Sequence, residues 1–241
     1  MTFQTIFLIG AVYLFAAFIQ RICGFGMGIV AVMILPYFTG SHANVAAYTN
    51  ILSAISASVL AFRFRDKVRW KIILPILCGS FLATFCTVRF LKNASFTSME
   101  KILGIVLLAL SVYFLFLKGK IRIAHKPRNG FLCGLCGGFL NGLFATGGPP
   151  VVIYLLGATE SHAVYLATIQ AYFAANNIYA TTVRFLNGQI TQQVLWGLMG
   201  ALPGMALGMF LGDRAAPHLP DQAILKGIYI LMAISGLGMI I

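Results

Sequence analysis

Two glycine-rich stretches hold the most informative chemistry of this chain: GFGMG at Gly24–Gly28 and TGGPP at Thr146–Pro150. Each interrupts a long apolar run. Glycine costs about 1 kcal/mol and proline about 3 kcal/mol in a helix interior, so a helix is expected to break at each, freeing backbone N–H and C=O groups. Hydrocarbon cannot satisfy such groups, which must face protein or a water-filled cavity. The half-helices after the breaks, Ile29–Phe38 and Val151–Gly157, would present N-terminal N–H groups and the positive end of the helix dipole, a setting that suits an anion. Polar side chains gather nearby. Gln20 and Arg21 precede the first break, and Asn141 precedes the second. In the following spans, Thr49, Asn50, Ser53 and Ser56 have counterparts in Thr168, Gln170 and Asn176, with Asn177 beside them. The expected substrate-binding set is Gln20, Arg21, Gly24, Gly26, Gly28, Asn50, Asn141, Thr146, Gly147, Gly148 and Gln170. These residues offer backbone or neutral side-chain donors and, at Arg21, a fork of cationic ones.

Each feature also has a purely structural reading. Glycine permits close helix packing, the role expected of Gly134, Gly137 and Gly138, and amides and hydroxyls bond between helices. Arg21, the only Lys or Arg among residues 1–60, can snorkel to an interface. His42 and His162 each follow a serine that makes a plausible N-cap. Glu160 could relay a proton or lie in a wet loop. Asp66, Glu100, Asp213 and Asp221 read as loop or helix-end residues.

The elements that must position these groups are set by composition. Of 241 residues, 60% are hydrophobic and 9% charged, against about 25% charged in a soluble domain; mean hydropathy is +0.92. The fold class is all-α, a polytopic helical membrane protein, because the apolar runs do not alternate as barrel strands do. The N-terminus has no basic region and no cleavage site and reads as a retained membrane segment. Net charge is +12. Ten of the 17 Lys and Arg sit in two short loops, FRFRDKVRWK (Arg63–Lys71) and KGKIRIAHKPR (Lys118–Arg128), which marks both as cytoplasmic. No polar module is present to make these a nucleic-acid surface. Cys23, Cys78, Cys86, Cys133 and Cys136 lie in or beside apolar runs, where a disulfide framework is not expected. The CGLC spacing has no second pair to build a metal site, so neither metal nor cofactor is expected. No paired intramembrane carboxylates, HExxH, GxSxG or Walker motif is present, which argues against an enzyme and against ATP-driven transport by this chain alone.

The chain also matches itself at an offset of roughly 120 residues. IQRICGFGMGIVAVMILP aligns with LNGLFATGGPPVVIYLLG, SHANVAAYTN with SHAVYLATIQ, and MEKILGIVLLALS with QAILKGIYILMAIS. Each half reads as a broken stretch (Phe3–Phe38, Asn129–Gly157) followed by three spans: Ala43–Phe62, Trp70–Phe90 and Glu100–Leu117, then His162–Phe185, Gln193–Leu211 and Gln222–Ile241. The expected organisation is one transmembrane domain, 1–241, with repeats 1–117 and 129–241 joined by a basic cytoplasmic linker, 118–128. If each broken stretch doubles back, the repeats are inverted and both termini lie outside; if each is one kinked crossing, they are parallel. The sparse charges of the second half, with Arg214 inside and Arg184 outside, favour inversion, as do paired broken helices.

At its two motifs the chain resembles the TauE/SafE family of sulfite exporter-like membrane permeases. The resemblance rests on GFGMGIVAVMILP, the SHA start of the next span and GLFATGGPP. The first motif departs from the family's run of glycines at Met27. The resemblance implies transport of sulfur-containing anions or small organic acids such as sulfite or sulfonates. The expected function is a secondary transporter in the cell inner membrane for a small anion held between two half-helix N-termini. Its partners are that anion and the lipid bilayer, with self-association left open. The alternatives are an anion channel or a membrane subunit of a larger complex, and last an intramembrane enzyme.

Overall fold

The computed structural model describes residues 2–90, 96–117, 123–215 and 221–240. Lys118, Lys120 and Arg122 of the linker, and the side chains of Cys23, His162 and Asp221, lie outside the described residues. Among the described residues every regular element is helical: α1 Phe3–Cys23, α2 Met27–Thr39, α3 His42–Arg63, α4 Trp70–Phe90, α5 Phe96–Val112, α6 Pro127–Phe144, α7 Gly148–Ala158, α8 His162–Leu186, α9 Gln192–Ala215 and α10 Asp221–Ile240. A π-helical turn, Tyr113–Leu117, continues α5. Among the described residues, five helices are long and apolar enough to cross a membrane (Phe3–Ile22, His42–Arg63, Trp70–Arg89, Ser98–Phe116 and Gln192–Ala215), while Met27–Thr39 and Gly148–Ala158 are shorter apolar helices. Large apolar side chains such as Phe7, Leu74 and Phe210 face outward, as a lipid-facing surface requires.

Local chemistry sets the boundaries. Ser41 and Ser161 are N-caps as expected, their hydroxyls accepting from the N–H of Asn44 (3.2 Å) and Val164 (3.3 Å). The two short helices begin where glycine and proline stop the preceding ones. α1 closes on Gly24 and α2 opens from Gly26, both with positive φ (79° and 116°). α6 closes on Ala145, itself at φ 55°, and α7 opens at Gly148. The breaks therefore span Gly24–Gly26, the first three residues of GFGMG, and Ala145–Gly147, which begins one residue before TGGPP. Pro149 and Pro150 fall inside the first turn of α7, where their missing N–H groups are tolerated.

Helix partners are not sequence neighbours. α1 runs beside α9 in the same direction: a Cβ on Gly204 would lie 2.1 Å from the Gly10 carbonyl oxygen, and one on Gly212 2.7 Å from Arg21. α4 and α6 make the same kind of parallel pair, with Gly134 against Ile76 and Gly142 against Thr87. Such backbone-to-backbone contact is how small residues join helices in lipid, where no hydrophobic force does so. α5 and α10 run antiparallel: Gly104 meets Gly236, while Ser111 Oγ donates to the Tyr229 carbonyl at 2.7 Å. α3 and α8 pack together in the interior and carry most of the buried polar side chains.

The broken stretch of the second half is a hairpin. Tyr154 of α7 donates from Oη to the Lys126 carbonyl at the start of α6 (3.3 Å), and Gly157 lies beside the His125 ring. Just beyond α7, Glu160 ion-pairs with Arg69 of the α3–α4 loop at 3.0 Å. Glu160 is thus a paired loop residue on the face of the basic loop. Arg184, at the end of α8, turns its side chain inward and is 2% exposed.

Candidate anion-binding site

The two breaks touch. Gly28, at the start of α2, packs on Ala145 and Thr146 so closely that a Cβ there would lie 2.1 Å from the Ala145 carbonyl oxygen. Between the breaks lies a cavity lined by Gln20, Gly26, Gly28, Asn141, Thr146, Gly147 and Gly148 of the expected set. Phe25, Met27, Ser53, Pro149, Phe173 and Asn177 complete much of its wall. No carboxylate is among the lining residues.

Donors dominate this lining. The first intrahelical bond of α2 runs from Val30 N to the Gly26 carbonyl (3.1 Å), which leaves the N–H groups of Met27, Gly28 and Ile29 at a free helix start. α7 is poorer, because Pro149 and Pro150 have no N–H; Gly148 and Val151 are its first-turn donors. The two helix starts are thus unequal, contrary to the symmetric pair the motifs suggest. Side chains make up the difference. Asn141 Nδ2 and Thr146 Oγ1 are buried, line the cavity and have no hydrogen-bond partner. A buried unsatisfied donor costs about 1–3 kcal/mol.

The remaining expected residues stand around the cavity. Asn50, fully buried, donates from Nδ2 to Asn141 Oδ1 (3.3 Å) and Asn177 Oδ1 (2.8 Å). Gln170 donates from Nε2 to the Gly24 carbonyl (3.1 Å), bracing the first break from α8. Gln20 donates to Ser56 Oγ (3.2 Å). Arg21 is not brought to the cavity. It pairs with Asp213 of α9 and lines a smaller hollow with Gln20, Met27 and Ser56. Asp213 is a helix-end residue, as expected, and is also that arginine's partner.

The site also draws on residues outside the expected set. Phe25 and Phe173 gave no signal beyond apolarity. In the sequence Arg184 reads as a charge near the end of the span His162–Phe185. Its placement opposite three neutral acceptors is a tertiary fact: Nε donates to Asn50 Oδ1 (2.9 Å), Nη1 to Gln189 Oε1 (2.7 Å) and Nη2 to the Gly142 carbonyl (2.5 Å). Among the described residues no group of three or more His, Cys, Asp or Glu could hold a metal ion. Cys78, Cys86, Cys133 and Cys136 are free thiols.

The helical bundle, its apolar surface and its broken interior helices define a multi-pass helical membrane protein. The chain belongs to the sulfite exporter TauE/SafE family, whose pattern matches residues 9–239. It is similar to the "Probable sulfite/organosulfonate exporter TauE" of Cupriavidus necator, 24% identical over 213 residues, covering 83% of this chain and 80% of the relative. It is also similar to the "Probable inner membrane transporter protein TsaS" of Comamonas testosteroni, 32% identical over 103 residues, 42% of this chain and 43% of that protein. No solved structure matches the chain. The family and both relatives are named for transport, and the chain is a membrane transporter, not an enzyme.

Proposed function

We propose that the chain is a secondary transporter of the cell inner membrane that carries a small sulfur oxyanion or organosulfonate, held in the cavity between the starts of α2 and α7. The observation that carries this reading is the pair of buried, unpartnered donors, Asn141 Nδ2 and Thr146 Oγ1, beside the free N–H groups of Met27, Gly28 and Ile29. Donors without a carboxylate suit a tetrahedral or pyramidal oxyanion and leave a cation's desolvation uncompensated. The names of the two relatives favour a sulfur anion.

The same reading takes the chain as one transmembrane domain of two inverted repeats, 1–117 and 129–241, joined by the linker 118–128. Three features support inversion. α5 and α10, the last helices of the halves, run antiparallel, whereas parallel repeats would align them. The α6–α7 hairpin returns to its starting face. Arg69–Glu160 joins the α3–α4 loop to the α7–α8 turn, which parallel repeats would put on opposite faces. The basic loops then lie inside and both termini outside.

The test is a thermal-shift screen of purified protein against sulfite, sulfate, thiosulfate, short alkanesulfonates and carboxylates, followed by flux in proteoliposomes. A specific anion stabilises the native state by mass action and shows saturable counterflow. Selective flux of a cationic solute would sink the reading, and non-saturating anion flux would point to a channel.

A further inference from the structure

We propose that Arg184 sets the polarity of this cavity: acting through Asn50, it orients the Asn141 amide so that its N–H₂ group, and not its carbonyl, faces the bound anion. The proposal rests on the anion-site reading and makes Arg184 a positioning residue, since it does not line the cavity itself.

The argument is one of donor and acceptor bookkeeping. A guanidinium has five N–H donors and no acceptor. The Asn50 atom 2.9 Å from Arg184 Nε must therefore be the carbonyl oxygen. That choice turns Asn50 Nδ2 toward α6 and α8, where it can only meet acceptors: Asn141 Oδ1 at 3.3 Å and Asn177 Oδ1 at 2.8 Å. Asn177 is pinned independently, because its Nδ2 donates to the Phe173 carbonyl at 2.8 Å and leaves only its oxygen for Asn50. With its carbonyl engaged, Asn141 has one group left, Nδ2, which is buried at the cavity without a partner. An ordinary amide could present either end to a ligand. This one is held donor-outward by a chain that begins at a fixed cation.

Arg184 also contributes charge. It is 2% exposed, and it takes part in none of the ion pairs Arg21–Asp213, Arg65–Asp66 and Arg69–Glu160. Its own acceptors are all neutral. A buried cation without a counter-ion is costly. One amide layer away, an anion in the cavity would offset part of that cost, so the charge favours an occupied, anionic site.

The experiment uses full-length protein with sodium sulfite and a short alkanesulfonate as probes, read by thermal shift and by the KM of flux at matched protein levels. Asn50→Asp is isosteric. It gives Arg184 a carboxylate and removes the N–H₂ that orients Asn141 and Asn177. The expected result is a folded protein, its new ion pair to Arg184 offset by a carboxylate oxygen now facing Asn177 Oδ1, with anion affinity at least about tenfold weaker. Affinity at the parent value overturns the proposal, since both the lost amide orientation and the added negative charge must weaken an anion. Should Asn50→Asp fail to fold, Arg184→Lys and Arg184→Gln decide. Retained charge must leave Arg184→Lys with clearly more anion flux than Arg184→Gln, and equal flux overturns the proposal. A parent protein that binds neither probe would sink the anion-site reading first, and this inference with it.

Discussion

Gly28 and Ala145, one at each break, are in backbone contact: the space where a Gly28 side chain would begin is filled by the Ala145 carbonyl, 2.1 Å from an ideal Cβ. Gly28→Ala must therefore push the two breaks apart. Overpacking of this kind costs about 1–3 kcal/mol. The expected outcome is protein that still inserts but melts lower and loses anion-dependent stabilisation. Thermal shift with and without sulfite measures both effects, and unchanged anion stabilisation would show that the contact does not shape the cavity.

Gly26 poses a different constraint. It has room for a methyl group, with Ile19 Cγ2 3.4 Å from an ideal Cβ, but its φ is +116°. Few L-residues adopt that conformation, and strain of about 1–3 kcal/mol is expected in Gly26→Ala. Gly40, at φ +65° with nothing within 4 Å, is the control: Gly40→Asn should be nearly neutral, since asparagine tolerates left-handed backbone. Equal melting temperatures for both variants would argue against strain at the first break.

Arg21 ties α1 to α9 through Asp213, with side chains 14% and 50% exposed. A partly solvated pair contributes about 0.2–1 kcal/mol. Arg21→Ala, Asp213→Ala and the double variant should each be slightly less stable and fail to add, while the KM for sulfite stays within about twofold of the parent. A selective loss of affinity in Arg21→Ala, absent from Asp213→Ala, would return Arg21 to the ligand.

Two polar contacts tie together loops that share a membrane face under the proposed inverted repeats. Arg69–Glu160 ties the α3–α4 loop to the α7–α8 turn, and Asn44 Nδ2 donates to Gln193 Oε1 (3.1 Å), tying the α2–α3 turn to the start of α9. In a cysteine-free background, Asp66→Cys and Glu160→Cys should react with impermeant thiol reagents from the cytoplasmic side, and Gln193→Cys from the other. Labelling of Asp66→Cys and Glu160→Cys from opposite sides would favour parallel repeats.

Much of the architecture was legible because hydrophobic spans and helix breakers act locally. Trp70–Phe90 is α4 to the residue, and SHA marks the first turns of α3 and α8 through serine caps. The breaks were legible for the same reason, as was the polar set beside them, down to Asn50 and Asn141. What sequence could not give was direction and pairing. Arg21 and Arg184 look alike in the sequence, each a lone arginine at the end of a span. Asp213, far along the chain, draws the first away from the cavity, while Asn50 draws the second beneath it. Both outcomes depend on helix partners that no local pattern encodes.

The interleaving of α1 with α9 and of α4 with α6 also sets a timetable for synthesis. α1 is complete at Cys23, but its glycine-lined partner does not begin until Gln192. At about 5–20 residues per second, the ribosome makes the intervening chain in roughly ten to thirty seconds. Throughout that interval α1 must wait in the bilayer with the face destined for α9 turned to lipid. A chain interrupted after its first half would carry two helices, α1 and α4, whose close-packing partners had never been made, leaving an orphan for membrane quality control and not a working half-transporter.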